Sequence, residues 1–105
     1  MNIFDNEKDP SNEELFDVLH KSENCKIERI ISFGHNSPES FWYEQNDDEW
    51  VLLLSGHAEL EFLNGEIVYL KEGDFYLIPA MLKHRVKSTA KNKATIWLAV
   101  FINNS

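Results

Sequence analysis

The sequence predicts an all-β fold, a barrel or jelly roll preceded by one short helix. Short runs rich in Ile, Val, Leu, Phe, Tyr and Trp recur from Ile27 onward, and Gly, Asn, Pro or Ser residues separate them, which is typical of successive β-strands. No helical period recurs after residue 20, and neither an internal repeat nor a low-complexity tract divides the chain. The chain of 105 residues therefore has room for a single domain of ordinary size.

The N-terminal part is expected to be an extension, residues 1–26, that contains a helix at about 11–20. Ser11 and Glu14 have the spacing of a capping box, in which each residue satisfies a free backbone N–H group at the start of a helix. Apolar residues at 15, 18 and 19 would share one face of this helix and cover one end of the core. The barrel domain is then expected over 27–105.

Eight strands are predicted in the barrel domain, at 27–33, 40–45, 49–55, 57–63, 66–70, 74–78, 84–88 and 95–102. The pair Asn64-Gly65 is a preferred sequence for a type I′ turn, because both central residues of that turn need a positive φ. This pair predicts a hairpin between the fourth and the fifth of these strands.

The hydrophobic pattern predicts which faces of the strands are buried. In the strand 57–63, apolar residues alternate with His57, Glu59 and Glu61, so one face would be buried and the other would face water. The strand 49–55 is apolar almost throughout, which predicts burial on both faces, either by a second sheet or by a partner subunit.

Composition and charge exclude several classes of function. With 43% apolar and 12% aromatic residues the chain is too hydrophobic to be disordered, and no apolar stretch is long enough to span a membrane. A net charge of −8 argues against nucleic acid and anionic membranes as partners, because both are bound through basic patches. The single cysteine, Cys25, and an N-terminus without a signal-peptide pattern predict a cytoplasmic protein.

Two segments resemble the paired sequence motifs of the cupin superfamily of small β-barrels. The residues that fall at motif positions are Glu49, Gly56, Gly73, Pro79 and His84. Met81 stands where the second motif usually has its second glycine. The resemblance covers about residues 27–102 and implies a double-stranded β-helix, the jelly-roll barrel of that family.

The same resemblance implies a metal site, which the family builds from three histidines and one glutamate. Glu49 and His84 occupy two of the four positions, but the other two contain no histidine in either register of the first motif. In the register that we prefer they are Tyr43 and Gln45, which would share one face of a strand. Such a set would suit a divalent Fe, Mn, Ni or Zn ion with water completing its shell. The alternative is no metal, with Glu49 and His84 forming a hydrogen-bonded pair across the barrel.

A pocket inside the barrel is also predicted. Aromatic residues are dense around the motif positions, and the half that points inward would line a cavity for a small, partly apolar ligand. From these we select Tyr43, Tyr76 and Trp97 as lining residues, together with His35, whose loop precedes the strand of Tyr43. The alternative is a barrel interior filled by its own side chains.

Three functions remain open at this point. The first is a binding module for a small metabolite, with or without a metal. The second is a metal-dependent enzyme of the isomerase, decarboxylase or dioxygenase type, as the resemblance to cupins implies. The third is a structural protein with a filled barrel. A homodimer is expected, as in many cupins, through the outward aromatic residues and the apolar run 49–55.

Overall fold

The computed structural model describes residues 2–5, 14–34, 37 and 41–104. The strands in this part of the chain are β1 (Leu15–Lys21), β2 (Cys25–Ser32), β3 (Asp48–Ser55), β4 (His57–Phe62), β5 (Ile67–Lys71), β6 (Phe75–Ile78), β7 (His84–Thr89) and β8 (Thr95–Ile102). They form a five-stranded sheet in the order β1-β2-β8-β3-β6 and a three-stranded sheet in the order β5-β4-β7. The predicted all-β fold is therefore confirmed. No helix in the described part of the chain is long and apolar enough to cross a membrane.

The predicted helix at about 11–20 is wrong over the part that the structure describes. Leu15–Lys21 form β1, which pairs antiparallel with β2 so that Leu15 lies opposite Ile31. A helix this short has little stability of its own, whereas the edge of β2 offers a ladder of backbone hydrogen bonds. Instead of a capping box, the Glu14 carboxylate accepts a hydrogen bond from the Ser32 hydroxyl. Residues 11–13 lie outside the described part.

The predicted strand 40–45 is reduced to a single bridge. Tyr43 N donates to the His84 carbonyl at 2.7 Å, and His84 N donates to the Tyr43 carbonyl at 3.0 Å. Further back, Ser37 N donates to the Val86 carbonyl at 2.8 Å. This segment therefore runs beside β7 and contacts it at intervals, without a continuous ladder. The other seven predicted strands are present, with their ends moved by a residue or two.

The inner faces of the two sheets share one hydrophobic core. The buried members of this core are Val51, Leu53, Ala58, Leu60, Phe62, Leu70, Ile78, Trp97 and Ala99. The predicted alternation in β4 is confirmed, because its apolar residues are buried while His57 is exposed. In β3, the inward Val51 and Leu53 are buried, but the outward Trp50 and Leu52 are only half-buried. Within one chain, the run 49–55 thus buries one face fully and leaves the other partly in solvent.

One buried charge ties the N-terminal turn to the sheet. Arg29, on the outer face of β2, is only 9% exposed. Its guanidinium donates to the carboxylate of Asp17 on the neighbouring strand β1 and to the backbone carbonyls of Ile3 and Asp5. The turn at 2–5 therefore supplies acceptors for this charge.

Candidate functional site

A partly open cavity of about 140 Å³ lies between the two sheets. Seven of the eight strands contribute to its wall, since only β5 has no residue there. The polar residues of the wall are Glu14, Glu28, Tyr43, Gln45, Glu49 and His84. Apolar side chains complete it, with the aromatic rings of Phe16, Trp97 and Phe101 among them. The cavity is thus apolar over most of its surface and carries a few polar groups, as ligand sites commonly do.

Glu49 and His84 both line this cavity and face each other from the two sheets. Glu49 lies on the inner face of β3, His84 opens β7, and they are 8% and 5% exposed. The His84 Nε2 atom is 3.6 Å from Glu49 Oε1. The His84 Nδ1 atom is 2.9 Å from the Leu82 carbonyl oxygen, which can only accept, so Nδ1 carries a proton and donates. Nε2 is consequently the ring nitrogen that faces the carboxylate.

Gln45 completes this group. Its side-chain Nε2 donates to Glu49 Oε1 at 2.7 Å, so the amide fixes the orientation of the carboxylate. The backbone carbonyl of Gln45 accepts a hydrogen bond from Met81 N at 2.8 Å, which ties the segment before β3 to the turn after β6. The register chosen from the sequence thus brings Tyr43, Gln45, Glu49 and His84 to one cavity wall.

The environment raises the pKa of the His84 imidazole. Burial by itself lowers this pKa, but the Glu49 carboxylate beside Nε2 and the hydrogen bond to the Leu82 carbonyl together outweigh the burial. The imidazole therefore keeps its second proton to a higher pH than a free histidine does.

Tyr43 lies at the rim of the cavity and is 39% exposed. Its ring packs edge-on against Phe41, with centroids 4.7 Å apart, and lies 5.9 Å from the His84 ring. Burial and the negative charge of Glu14 raise the pKa of the Tyr43 phenol; a hydrogen bond with Ser37 opposes this shift and Glu49 adds to it. The phenol therefore stays protonated at neutral pH. In this form it can make hydrogen bonds but is a poor ligand for a metal.

The residues present do not fit the metal centre of the family. In the part of the chain that the structure describes, no three His, Cys, Asp or Glu side chains come together in a way that would hold a metal ion. Zinc sites in proteins use at least three protein ligands. At the four motif positions one imidazole and one carboxylate are available, because the Gln45 amide is hydrogen-bonded to Glu49 and Tyr43 is a neutral phenol.

The remaining predicted pocket residues fall in different places. Trp97 lines the cavity and is 4% exposed. Tyr76 does not line it: the Tyr76 ring packs on Phe62 in the core, with centroids 5.8 Å apart. His35 lies outside the residues that the structure describes.

Four of the polar and aromatic lining residues were not predicted from the sequence: Glu14, Phe16, Glu28 and Phe101. Glu14 and Phe16 belong to the segment that is predicted as a helix. The helical spacing of its apolar residues gave no indication that Phe16 lies on an inward face of a strand. Glu28 does carry a signal, since it shares the inward face of β2 with Ile30. A carboxylate at an inward position of a barrel strand is a candidate for a site.

The chain is similar to known cupins over most of its length. The profile of the cupin domain family matches residues 31–101. A search of curated proteins gave no match. Similar solved structures include a Ralstonia eutropha JMP134 protein described as a "putative mannose-6-phosphate isomerase", which is 38% identical, with 98% of this chain and 96% of that chain covered and a TM-score of 0.94.

Two more distant structures share the fold. A cupin superfamily protein of Desulfitobacterium hafniense DCB-2 is 20% identical over 92% of this chain and 84% of that chain, with a TM-score of 0.76. An RmlC-like cupin of Methanocaldococcus jannaschii, which has a double-stranded β-helix fold, is 17% identical over 91% of this chain and 85% of that chain, with a TM-score of 0.72. This chain therefore belongs to the cupin family, and its two-sheet barrel is the jelly roll of that family.

Proposed function

We propose that this chain is a cupin binding module whose cavity holds a small metabolite without a resident metal ion. The observation that carries the proposal is the group of Glu49, Gln45 and His84, in which Gln45 donates a hydrogen bond to Glu49 and His84 Nε2 lies 3.6 Å from the same carboxylate, and which lines a cavity of about 140 Å³. An open cavity with polar groups in its wall argues against a filled, purely structural barrel.

The volume bounds the ligand. An engineered protein cavity of about 150 Å³ holds one benzene molecule, so a ligand of roughly six heavy atoms would fill this one. Glu49 would accept a hydrogen bond from the ligand, Tyr43 would donate or accept one at the rim, and the apolar wall would pack against its carbon atoms. Gln45 acts as a positioning residue, because it holds the carboxylate in place.

Ligand-observed NMR with a library of small fragments tests this proposal. We expect fragments that bind the parent protein and lose binding by about tenfold or more in Glu49→Gln and His84→Gln, since each variant removes one hydrogen-bonding partner from the cavity wall. Glu66→Gln is the matched control, because Glu66 is exposed and does not line the cavity. If no fragment distinguishes the cavity variants from this control, the cavity is not a binding site.

A metal-dependent enzyme is the second candidate, and the comparison with the Ralstonia eutropha protein favours an isomerase. The test is conversion of mannose 6-phosphate, with and without added Mn²⁺, Fe²⁺, Ni²⁺ or Zn²⁺. Neither lysine nor arginine lines the cavity in the described part of the chain, and a hexose phosphate exceeds the volume available. We therefore expect no turnover above that of the His84→Gln variant. Metal-dependent turnover that His84→Gln abolishes would establish the enzyme instead.

We further propose that two copies associate through the outer face of the five-stranded sheet. Trp50 and Leu52 on β3 lie opposite Leu77 and Phe75 on β6, whose side chains are 50% and 65% exposed. On the other side of β3, Val100 and Leu98 of β8 continue this apolar face. Contiguous exposed apolar surface of this kind marks interaction sites.

Light scattering tests the association. The parent should have twice the chain mass of 12.3 kDa, and Leu77→Glu should shift it toward the monomer, because a carboxylate would be buried in the apolar contact. Leu63→Glu is the control, since Leu63 is equally exposed but lies in the turn between β4 and β5. A parent that elutes and scatters as a monomer at working concentration would refute the dimer.

A further inference from the structure

Carboxylates dominate the polar wall of the cavity. Glu14, Glu28 and Glu49 come from or lie next to three different strands of the larger sheet, so all three line the side of the cavity that this sheet forms. Among the residues that the structure describes, two cationic groups form ion pairs with these carboxylates. Lys26 Nζ is 3.3 Å from Glu28, and His84 Nε2 is 3.6 Å from Glu49. The wall therefore keeps a net negative charge whether or not His84 is protonated.

Aromatic rings form much of the apolar wall on the same side. Trp97 and Phe101 point inward from β8, and the residue between them on that face is Ala99, whose side chain is a single methyl group. Glu28 of β2 is paired directly with Ala99. Glu28 thus lies beside Trp97 and Phe101, which are separated on their strand by the small residue Ala99. The faces of aromatic rings attract cations, most strongly where water is excluded.

Lys26 makes a cation–π contact of this kind at the edge of the cavity. Its ammonium group lies 4.7 Å from the centroid of the Phe101 ring and is salt-bridged to Glu28. Lys26 is not part of the cavity wall, and its side chain is 37% exposed. The ring and the carboxylate therefore accept an alkylammonium group from outside, while His84 is the one basic side chain among the described residues that line the cavity.

We propose that the metabolite bound in this cavity is a small organic cation, an alkylammonium compound of roughly six heavy atoms. The inference rests on the proposed function, since it assumes that the cavity binds a ligand, and it adds the charge of that ligand. Glu14, Glu28 and Glu49 supply the opposing charge, and Phe16, Trp97 and Phe101 pack against the alkyl groups. An anion would be repelled by three carboxylates without any lysine or arginine in the described wall to offset them.

Three probes of similar shape and different charge test the inference by isothermal titration calorimetry on the full chain. They are tert-butylammonium, tert-butanol and isobutyrate. We expect the ammonium to bind at least about tenfold more tightly than the alcohol, and isobutyrate to show no binding. In Glu28→Gln, affinity for the ammonium should fall by about tenfold, while affinity for the alcohol changes less than about twofold.

Controls separate cavity charge from overall charge and from misfolding. Glu66→Gln removes one negative charge from an exposed position and should leave the preference for the ammonium unchanged. Glu14→Gln is a second cavity variant in case Glu28→Gln fails to fold, since the Glu14 side chain accepts a hydrogen bond only from Ser32 among the contacts described. Equal binding of alcohol and ammonium, or binding of isobutyrate, would overturn the cation inference and leave the binding module intact. Binding of none of the three probes would contradict both.

Discussion

The side-chain amide of Gln45 donates a hydrogen bond to the carboxylate of Glu49 at 2.7 Å, at a position where the cupin motif has a histidine. An amide that donates to the carboxylate ties up one of the two acid oxygens, where a histidine would direct a nitrogen lone pair toward a metal. The Gln45–Glu49 pair therefore holds the carboxylate by a hydrogen bond.

Restoring the histidines should create a metal site. Tyr43 and Gln45 line the same cavity wall as Glu49 and His84, so the double variant Tyr43→His/Gln45→His would place four ligands of the family's type together. We expect this variant to bind about one equivalent of Zn²⁺ or Ni²⁺, and to gain roughly 2.7 kcal/mol of unfolding free energy at a metal concentration one hundred times the Kd. Elemental analysis and metal-dependent thermal unfolding measure both.

The parent is the first control for this prediction and should gain no stability from the same metals. Adding His84→Gln to the double variant is the second control and should abolish the gain, because one ligand is lost. Stoichiometric metal in the parent protein would contradict the interpretation of Gln45 and Tyr43 as non-ligands.

Gly56 should be intolerant of any side chain. Its φ is +88°, and an added Cβ would clash with Thr95 Oγ1 and lie 2.8 Å from Thr95 Cα, at a residue of β8 that is fully buried. Gly56→Ala should therefore lower the free energy of unfolding by about 3 kcal/mol, from overpacking and backbone strain together. Gly73 has a similar φ of +90° but open space around it, so Gly73→Ala should cost only about 1 kcal/mol. Urea unfolding that gives equal losses would show that the contact with Thr95 yields easily.

Met81 has a backbone conformation that suits glycine. Its φ is +68°, at the position where the cupin motif usually has a glycine, and its side chain is 56% exposed. Met81→Gly should raise the free energy of unfolding by about 0.5–1 kcal/mol, because relief of left-handed strain exceeds the added entropy of the unfolded chain. Met81→Ala keeps the strain and should show no such gain, so a gain of equal size in both variants would point to the side chain instead.

The His84–Glu49 pair should make stability depend on pH. Because the pKa of His84 is raised in the folded state, the folded protein holds this proton more tightly than the unfolded chain does. Its stabilising contribution is fully present below about pH 6.5, the usual pKa of histidine, and is lost as the pH rises through the folded pKa. We expect the difference in unfolding free energy between the parent and His84→Gln to shrink from about pH 6 to about pH 9. A difference that grows with pH would mean that burial dominates and the pKa is lowered.

The barrel could be predicted from the sequence because its strands are separated by clear turn residues. Asn64-Gly65 and the alternation in 57–63 predict the β4–β5 hairpin without any knowledge of the rest of the fold, and the hairpin is present. The predicted type I′ turn is wrong, because only Gly65 of the pair has a positive φ, +94°, and Gly65 N donates instead to the Phe62 carbonyl. The segment 15–21 could not be assigned in this way, since its apolar residues fit a helical face and a strand equally well. Pairing with the edge of β2 favours the strand over the helix, and that edge exists only in the assembled sheet.

The candidate site was predicted only in part for a related reason. Motif spacing located Glu49 and His84, and a two-residue period placed Tyr43 and Gln45 beside them. Glu28 was not recognised, because the alternation in 27–33 does not say which face is inward: Arg29, on the outer face, is as buried as Glu28 on the inner one. The burial of Arg29 comes from residues 2–5 and from Asp17, which are distant in sequence.

The contacts of Arg29 also bear on how the chain should be handled at the bench. Its guanidinium takes two of its acceptors from the main-chain carbonyls of Ile3 and Asp5, and a buried charge that loses its partners is costly to the folded state. The short turn at the start of the chain would be an obvious segment to trim before crystallisation, or to replace with an affinity tag. Shortened versions that begin after Asp5 would leave this cation without those carbonyls, so purification tags are better attached at the other end.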